Sequence, residues 1–575
     1  MSGSVQSSTS TRVVDFMSRP ESYGARVKAV ERVETHISWV FLTDRHAYKL
    51  KKPVRFEFVD YSTIDARQRA CLDELRLNRR LARDVYLSVV PITGDARGHL
   101  QLDGDGDPVD WVVKMRRLPD DCNLENMVRA GRLDVTAVHE VASLLATFFV
   151  TSAPVTIRPD DYRREIGEHV RANRIELMRD RSSSRLVSRV HAAQLRFLRL
   201  RDDLFDRRVR DGRIVDGHGD LRPQHIYIKG RPRVIDGVEF SAKLRQLDVA
   251  DELAFLSMEC ERIGAAWVGD EVLRSYVRAS GDRPPAELVD FYKSYRACVR
   301  AKVLRLRAKQ LPTSERGQID ETIPAYLRLA DRYARGLGTP LMIIVTGLSG
   351  SGKSTLAAQL AESLNMELLQ TDAIRKELLE PMPARGPTGA PEGRCEAAMV
   401  PTTGPADRSA VGRIGGTEPT AQSRSVVGSA QHGSTAPAVE YGEGPYRASE
   451  RRRVYEVMFD RARRALKEGL SVILDGAFLY DDLRGRAVDV ARRQGAEPLL
   501  VHCECPPQVA QQRIAQRIAD GQMLSDARSE FIPDQQEDEQ PFTIDLPTIA
   551  IDTTTSLPVQ IDEVIAHCGK LVASG

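Results

Sequence analysis

The stretch that decides the fold of the C-terminal half is LMIIVTGLSGSGKSTLAAQL, from Leu341 to Leu360. It opens on an apolar run typical of a strand buried on both faces, and the residues after Lys353 have the composition of a helix. Between them, Gly347 to Ser354 fits the pattern G-x-x-x-x-G-K-S/T at every position. A strand, a glycine-rich turn and a helix in this order predict a phosphate-binding loop at the start of an α/β domain.

The glycines of this loop explain its predicted chemistry. They let backbone N–H groups turn inward around phosphate oxygens, and the start of the following helix adds the positive end of its dipole. Lys353 is predicted to bridge the β- and γ-phosphates of ATP, and the Ser354 hydroxyl is predicted to ligate Mg²⁺. The predicted ATP-binding residues of the loop are Gly347, Leu348, Ser349, Gly350, Ser351, Gly352, Lys353, Ser354 and Thr355.

Charged residues further along the domain add candidates for metal binding and catalysis. Asp475 ends an apolar run in VILDGAF, which predicts a carboxylate that holds Mg²⁺ directly or through water; the alternative is a cap or turn residue. Asp372 and Arg375, in LLQTDAIRKEL, begin a helix and are predicted to face an acceptor hydroxyl; the alternative is a helix N-cap. Arg513 and Arg517 lie one helical turn apart and predict a lid that clamps the phosphoryl group.

These segments resemble the small P-loop kinases, a group of AAA-type ATP-binding proteins that includes gluconate-kinase-like, zeta-toxin-like and polynucleotide-kinase-like members. GPYRASERRRVYEVMFDRARRALKEGLSVILDGAF and the SDA at Ser525 to Ala527 belong to the same resemblance, which covers roughly residues 340–573 except for one insertion. It implies that Asp372, in a D-x-x-R pair, is the general base that activates an acceptor hydroxyl. It does not fix the substrate.

A second informative stretch, DGHGDLRPQHIYI, runs from Asp216 to Ile228. It is followed by VIDGVEF, so an aspartate on a loop precedes a second aspartate on the next strand. Phosphoryl transfer needs one carboxylate at the acceptor hydroxyl and another at the metal of the nucleotide. Asp220 is predicted to be the first of these and Asp236 the second.

The strands and the helix that precede this stretch supply candidates for the phosphate-binding lysine. AYKL predicts that Lys49 points toward the nucleotide phosphates, with Lys51 as the competing candidate on the same strand face. Glu74, on the predicted helix from about Thr63 to Arg83, is the expected partner that orients the lysine. Strands, a helix, further strands, helices and then the catalytic loop follow the order of a kinase-like α+β domain.

HGDLRPQH and the following VID resemble the aminoglycoside phosphotransferase family, whose pattern is His-Gly-Asp-x-x-x-x-Asn followed by Ile-Asp. ETHISWVFLTDRHAYKLKKPVRF and VEFSAKLRQLDVADELAFLSME resemble more closely a bacterial family that fuses such a domain to a P-loop kinase. The resemblance implies a bifunctional chain with a protein-kinase-like α+β domain followed by an α/β P-loop domain with a parallel sheet.

Two departures from the phosphotransferase pattern leave the activity of the first domain open. His225 stands where the family has a metal-binding Asn, and imidazole suits softer ions better than Mg²⁺. His225 is therefore either a metal ligand or a hydrogen-bond partner of Asp220 or Asp236. No G-x-G-x-x-G precedes Lys49. The domain is predicted to transfer phosphate with an altered metal shell; the alternative is a kinase-like domain that binds a ligand or regulates without catalysis.

Composition divides the chain into segments. Residues 1–12 are predicted to be disordered, residues 13–337 to form the kinase-like domain and residues 338–575 the P-loop domain. Within the latter, residues 383–439 are rich in Gly, Pro, Ser, Thr and Ala without periodicity, which predicts a disordered insertion.

The overall composition narrows the partners and the location. With 83 basic and 81 acidic residues there is no global case for nucleic acid, although the arginine cluster ERRRVYEVMFDRARR keeps an oligonucleotide acceptor open for the P-loop half. Apolar runs are too short for a membrane span, the first residues lack the apolar core of a signal peptide, and the eight Cys lack zinc-site spacing. These features predict a cytoplasmic protein without a membrane partner.

The function predicted from the sequence is transfer of the ATP γ-phosphate, with Mg²⁺, to a hydroxyl of a small molecule by two kinase-like modules. One alternative is a P-loop ATPase switch joined to a non-catalytic ligand-binding domain. Another is a polynucleotide or nucleotide-sugar kinase. The acceptor and the oligomeric state are not fixed by the sequence.

Overall fold

The computed structural model of the 575-residue protein describes residues 2–56, 59–379, 447–520 and 529–574. The predicted insertion at 383–439 and the SDA at Ser525 to Ala527 lie outside the described residues. No helix within these ranges has both the length and the apolar character needed to cross a membrane.

The first half begins with an antiparallel sheet of order β1-β2-β3-β8-β6-β7. Three two-stranded pairs, β4 with β5, β9 with β12 and β10 with β11, accompany it. The strands are β1 (Glu31–Glu34), β2 (Ser38–Leu42), β3 (His46–Lys51), β4 (Arg55–Phe56), β5 (Val59–Asp60), β6 (Tyr86–Gly94), β7 (Leu100–Leu102), β8 (Asp107–Arg116), β9 (Ile214–Asp216), β10 (Ile226–Tyr227), β11 (Arg233–Val234) and β12 (Gln246–Asp248).

Helices cover the sheet and then build a separate helical lobe. The helix predicted from about Thr63 to Arg83 is α2, whose N–H group at Ala66 donates to the Thr63 hydroxyl at the N-cap. The helices are α1 (Ser2–Met17), α2 (Ile64–Ala82), α3 (Leu124–Arg129), α4 (Val135–Thr151), α5 (Pro159–Leu177), α6 (Ser184–Leu200), α7 (Asp202–Arg210), α8 (Val249–Arg262), α9 (Ala266–Ser280), α10 (Ala286–Ala308) and α11 (Gly317–Ala334). A sheet followed by a helical lobe confirms the predicted kinase-like α+β fold class.

Two sequence predictions for this half are wrong. Residues 2–17 form helix α1 where residues 1–12 were expected to be disordered, and the buried Val13, Val14 and Met17 fix the end of the helix against the sheet. The predicted strand through VIDGVEF covers only Arg233–Val234. Asp236 has a φ of 63°, a left-handed conformation that ends a strand, so this carboxylate lies in a turn.

The second half is an α/β unit whose parallel sheet has the order β14-β15-β13-β16-β17. Its strands are β13 (Leu341–Thr346), β14 (Glu367–Gln370), β15 (Val472–Asp475), β16 (Glu497–Glu504) and β17 (Thr548–Asp552). Its helices are α12 (Lys353–Leu364), α13 (Thr371–Leu379), α14 (Ala448–Lys467), α15 (Asp481–Arg493), α16 (Pro507–Ala519), α17 (Phe531–Asp538) and α18 (Leu557–Ser574). Apolar clusters bury both faces of the sheet, which confirms the predicted fold class.

Helix α6 joins the two halves. Leu200 lies in the same apolar cluster as Leu341 of β13. Arg196, which is 3% exposed, donates to the Ser471 hydroxyl at 2.8 Å and to the Gly338 carbonyl at 3.1 Å. Burial lowers the pKa of Arg196 to about 10. Through these two neutral acceptors a buried guanidinium ties the helical lobe to the P-loop domain.

Candidate active sites

The phosphate-binding loop has the backbone that its glycines predict. Gly347 has a φ of 143° and Gly350 a φ of 79°, both in the range that disfavours a side chain. A Cβ at Gly347 would lie 2.6 Å from the Cys503 carbonyl oxygen, and one at Gly350 would lie 2.6 Å from that of Ala510. The loop therefore lies directly against β16 and α16, and only glycine fits at these two positions.

The loop brings its lysine, its serines and the strand-end aspartate together. The Lys353 ammonium donates to the Leu348 carbonyl at 3.2 Å across the loop. Burial raises the pKa of Asp475, against the lowering effects of Lys353, a hydrogen bond from Gln370 and one from Ser354. The buried Ser351 hydroxyl has no hydrogen-bond partner in the described ranges. A cationic loop with a free hydroxyl beside a buried carboxylate fits a phosphate chain with Mg²⁺.

Asp372 and Arg375 are placed beside this loop by the start of α13. They form an ion pair at 2.6 Å. The Asp372 side chain is 34% exposed, and its charge contributes to the raised pKa of Asp475. The two carboxylates are therefore close enough to interact, as a base and a metal ligand on one phosphoryl group would be.

The two arginines of α16 have different surroundings. Arg513 donates to the Thr553 hydroxyl at 3.0 Å, and its guanidinium lies 3.2 Å from the position of a Cβ on Gly352. Arg513 is thus at the loop. Arg517 makes no hydrogen bond or ion pair within the part of the chain that the structure describes. Among the described residues, the structure therefore gives a contact at the loop for Arg513 and none for Arg517.

The first half holds its two candidate lysines in one buried ion-pair cluster. Lys49 lies 2.9 Å from Glu74 and 2.6 Å from Asp236. Lys51 lies 2.5 Å from the other oxygen of Glu74 and also pairs with Glu239. The side chain of Lys49 is 12% exposed and lines a cleft, whereas that of Lys51 is fully buried. The geometry thus favours Lys49 over Lys51 as the lysine that a nucleotide can reach.

The turn at Asp236 is fixed by the backbone. The Asp236 N–H donates to the Tyr86 hydroxyl at 3.1 Å, and the next N–H, of Gly237, donates to the Asn78 side-chain oxygen at 2.8 Å. Burial alone would raise the pKa of Asp236, but Lys49 and then His225 hold it far below its usual value. The carboxylate is ionised, its side chain is 46% exposed, and it lines the cleft.

Asp220 is paired with a residue that the sequence prediction missed. Arg222 donates to both Asp220 carboxylate oxygens, at 2.9 and 2.8 Å. Burial would raise the pKa of Asp220, but Arg222 and His225 together lower it to about 2. Arg222 lies within HGDLRPQH, two residues after Asp220, so an arginine close to the aspartate was visible in the sequence.

The two histidines of the loop have distinct partners. His218 donates from Nε2 to the Ile235 carbonyl at 2.9 Å and accepts the Asp220 N–H at Nδ1, and burial lowers its pKa to about 4. His225 donates from Nδ1 to the Asp220 carbonyl at 2.9 Å and accepts from Arg222 at Nε2. Its Nε2 also lies 3.6 Å from the Asp236 carboxylate. His218 holds the backbone, and His225 faces both candidate carboxylates.

Glu252 of α8 is a second residue that the sequence prediction missed. It accepts the N–H groups of His218, at 2.8 Å, and Gly219. Burial raises the pKa of Glu252 to about 7, although these two hydrogen bonds oppose the rise. A carboxylate within the buried run VADELAF was the available signal. Glu252 positions the loop that carries Asp220.

A cleft of about 560 Å³ lies between the sheet and the helical lobe of the first half. Lys49, Asp220, His225 and Asp236 line it together with apolar side chains and further charged ones, among them Arg296 and Arg300. Cavities of this size and character hold small ligands. No cluster of three or more His, Cys, Asp or Glu side chains forms a ready metal site among the described residues. Because Mg²⁺ takes phosphate oxygens and water as ligands, the two side chains Asp236 and His225 are compatible with a nucleotide-bound ion.

Comparison with known proteins agrees with the two-part architecture. The Mycobacterium tuberculosis protein named "Uncharacterized protein Rv2004c" is 36% identical over 353 residues, which cover 60% of this chain and 68% of that protein. The Mycobacterium bovis protein named "Uncharacterized protein Mb2027c" matches equally. This chain belongs to their family. A family model described as an AAA domain matches residues 342–541, the P-loop half.

Solved structures resemble each half weakly. A choline/ethanolamine kinase family protein from Mesorhizobium loti is 12% identical with a TM-score of 0.33, covering 57% of this chain and 94% of its own. A gluconokinase from Sinorhizobium meliloti 1021 is 15% identical with a TM-score of 0.25, covering 41% of this chain and 96% of its own. At these TM-scores the likenesses carry no weight for the function of this family.

Proposed function

We propose that the protein is an ATP-dependent phosphotransferase with two catalytic modules, each acting on a hydroxyl of a small molecule. The observation that carries the proposal is a repeated constellation. In each half a lysine lies near two carboxylates, to which we assign a metal and an acceptor: Lys49 with Asp236 and Asp220, and Lys353 with Asp475 and Asp372. Phosphoryl transfer depends on this positioning more than on covalent chemistry.

In the kinase-like domain, Lys49 binds the nucleotide phosphates while Glu74 keeps its ammonium in place. Asp236 and His225 would hold Mg²⁺, which would neutralise charge on the nucleotide phosphates. Asp220 accepts a hydrogen bond from the acceptor hydroxyl and takes its proton as the new O–P bond forms, while the bond from the γ-phosphorus to the β,γ-bridging oxygen breaks and ADP leaves. Arg222, now on Asp220, moves toward the γ-phosphate when this anion arrives, which frees the carboxylate for the acceptor.

In the P-loop domain, the loop N–H groups and Lys353 cradle the phosphates. Ser354 and Asp475 would hold Mg²⁺, and Asp372 takes the acceptor proton. Arg375 pairs with Asp372 and steers the acceptor. Arg513, already at the loop, contacts the transferred phosphoryl group, and Arg517 joins it from the next turn of α16.

One observation favours a second candidate, in which the kinase-like domain binds nucleotide without transferring phosphate and the P-loop domain acts as an ATPase switch. Arg222 donates to both oxygens of Asp220 and helps to hold its pKa near 2, so the carboxylate is a weak base for an acceptor proton until the arginine moves. We favour the catalytic candidate because Asp220, Asp236 and His225 all line the same cleft as Lys49.

The distinguishing experiment separates transfer from hydrolysis. ATP labelled at the γ-phosphate is incubated with the protein, Mg²⁺ and a panel of hydroxyl compounds, namely sugars, polyols, nucleosides and an oligonucleotide with a 5′-hydroxyl. Label on a hydroxyl compound supports the proposal. Label released only as inorganic phosphate, whatever compound is present, refutes transfer and leaves the switch. Label on the oligonucleotide alone, lost at high salt, would replace the small-molecule acceptor with a nucleic acid.

We further propose that the reaction takes place in the cytoplasm. ATP is available there, and the seven cysteines that the structure describes are all free, as a reducing compartment requires.

A further inference from the structure

A pocket separate from both candidate active sites lies where the helical lobe meets the P-loop domain. Its volume is about 640 Å³, and its walls are one face of α5, one face of α6 and the C-terminal end of α12. Helix α12 begins at Lys353, so the pocket touches the far end of the helix that carries the phosphate-binding loop. We call it the inter-domain pocket.

The walls of the inter-domain pocket are cationic. Five arginines line it, against three carboxylates. Most of these arginines have carboxylate partners within 4 Å: Arg163 pairs with Asp206, Arg164 with Asp161, and Arg199 with Asp562. The arginines are Arg163, Arg164, Arg171, Arg174 and Arg199, and the carboxylates are those of Asp160, Asp202 and Glu362.

Arg171 and Arg174 differ from the other three. Within the described ranges neither has a carboxylate within ion-pair distance. They lie on one side of α5, three residues apart, so their side chains can reach one ligand together. Two guanidinium groups that share an anion bind it with charge-assisted hydrogen bonds, which match the oxygens of a phosphate.

A buried polar group completes this side of the pocket. His191 of α6 lines the pocket, is only 5% exposed, and has no hydrogen-bond partner at either ring nitrogen in the described part of the chain. Burial, followed by the charges of Arg174 and Arg171, lowers the pKa of His191 to about 3, so the ring is neutral and keeps one N–H to donate. Buried polar groups without partners are rare in proteins, and a ligand in the pocket would satisfy this one.

We propose that the inter-domain pocket binds a phosphate-bearing anion, held by Arg171, Arg174 and the His191 N–H. The size of the pocket suits an organic phosphate monoester better than inorganic phosphate, because binding sites for small organic ligands have volumes of this order. The site lies outside both clefts, so the ligand is an effector and not a reacting group. The inter-domain pocket is lined both by the kinase-like half and by α12 of the P-loop half.

The test observes His191 directly. Protein labelled with ¹⁵N at its 11 histidines is saturated with Mg²⁺ and a non-hydrolysable ATP analogue, so that both nucleotide sites are filled. The imidazole signal that disappears in His191→Gln is assigned to His191. Glucose 6-phosphate, inorganic phosphate and glucose are then titrated separately. The proposal predicts that the His191 signal moves with glucose 6-phosphate and does not move with glucose.

Two double variants complete the design. Arg171→Gln with Arg174→Gln should weaken the response at least tenfold. Arg274→Gln with Arg278→Gln removes the same charge from α9, outside the pocket, and should leave the response within twofold of wild type. If inorganic phosphate moves the His191 signal as much as glucose 6-phosphate does, the anion site is supported and its ligand is free phosphate. No movement of the His191 signal at millimolar glucose 6-phosphate and phosphate, or equal weakening in both double variants, would overturn the proposal.

Discussion

The two lysines of β3 belong to one ion-pair cluster, yet we predict opposite consequences for their removal. Lys51→Met should lower the unfolding free energy of the first domain by about 3–5 kcal/mol, the usual cost of breaking a buried ion pair. Two carboxylates whose side chains are 0% and 4% exposed are affected: Glu239 loses its ion pair with Lys51, and Glu74 keeps Lys49 at 2.9 Å. Lys49→Met should cost only about 1 kcal/mol, because Asp236 is 46% exposed and Glu74 keeps Lys51.

Activity should follow the reverse order. Lys49 lines the cleft and Lys51 does not. Lys49→Met should therefore lower phosphate transfer by the first domain about 10²–10³-fold, the usual effect of removing one preorganised charge from a transition state. Lys51→Met, measured under conditions where it is folded, should keep transfer within about tenfold of wild type.

The sequence offers a selective probe for the stability measurement. All three tryptophans, Trp39, Trp111 and Trp267, lie in the first domain, so urea unfolding followed by tryptophan fluorescence reports that domain alone. The γ-phosphate transfer assay supplies the activity. If Lys51→Met unfolds at the wild-type urea concentration but loses transfer, while Lys49→Met transfers normally, Lys51 is the phosphate-binding lysine and our assignment is wrong.

Three further predictions concern buried charges. Because burial raises the pKa of Glu252 to about 7, the folded state binds this proton more tightly than the unfolded state. The free energy of unfolding should then fall as pH rises from 5 to 8. In Glu252→Gln, urea unfolding followed by tryptophan fluorescence should show a fall that is smaller by about 3 kcal/mol. Identical pH profiles for wild type and Glu252→Gln would refute this. Arg222→Gln should raise the pKa of Asp220 and shift the acid limb of transfer upward by about one pH unit; an unmoved limb would contradict the pairing. Arg208→Met removes the ion-pair partner of two buried carboxylates, Asp248 and Asp282, and should lower the free energy of unfolding in urea by about 3–5 kcal/mol. A loss below about 1 kcal/mol would show that these carboxylates are solvated.

The P-loop site was predictable because its chemistry is contiguous in the sequence. Gly347 to Ser354 is one turn between a strand and a helix, and its neighbours in space are set by the parallel sheet. Asp475 was predicted from its place at the end of an apolar run, and the structure puts it at the end of β15, the parallel neighbour of β13. The residues of this loop are consecutive in the sequence, so the sequence pattern is sufficient to predict that they lie together in space.

Elsewhere the site depends on contacts between distant segments. The partner of Asp220 is local, but the group that holds the loop, Glu252, comes from a helix more than thirty residues later. The sequence shows a carboxylate in an apolar helix without showing which N–H groups it accepts. The left-handed turn at Asp236 depends on hydrogen bonds to Tyr86 and Asn78 from other elements, so periodicity predicted a strand instead.

The first helix illustrates the same limit. Its sequence, SGSVQSSTSTRVVDFM, has weak helix formers and few apolar residues, which favours disorder when it is considered alone. The structure adds a surface on the sheet that accepts Val13, Val14 and Met17. Burial of one end of the helix against the sheet stabilises it, and this contribution cannot be read from local composition.

The measurement that tests the central claim most directly compares Lys353→Ala and Asp220→Asn with wild type. Each protein is assayed with γ-labelled ATP against the same panel of hydroxyl compounds, and tryptophan fluorescence confirms that the first domain is folded. We predict that each substitution removes transfer to a different acceptor, or a different transfer step, and leaves the other intact. If Lys353→Ala abolishes all transfer while Asp220→Asn changes none, the kinase-like domain does not catalyse, and the two-module account is wrong.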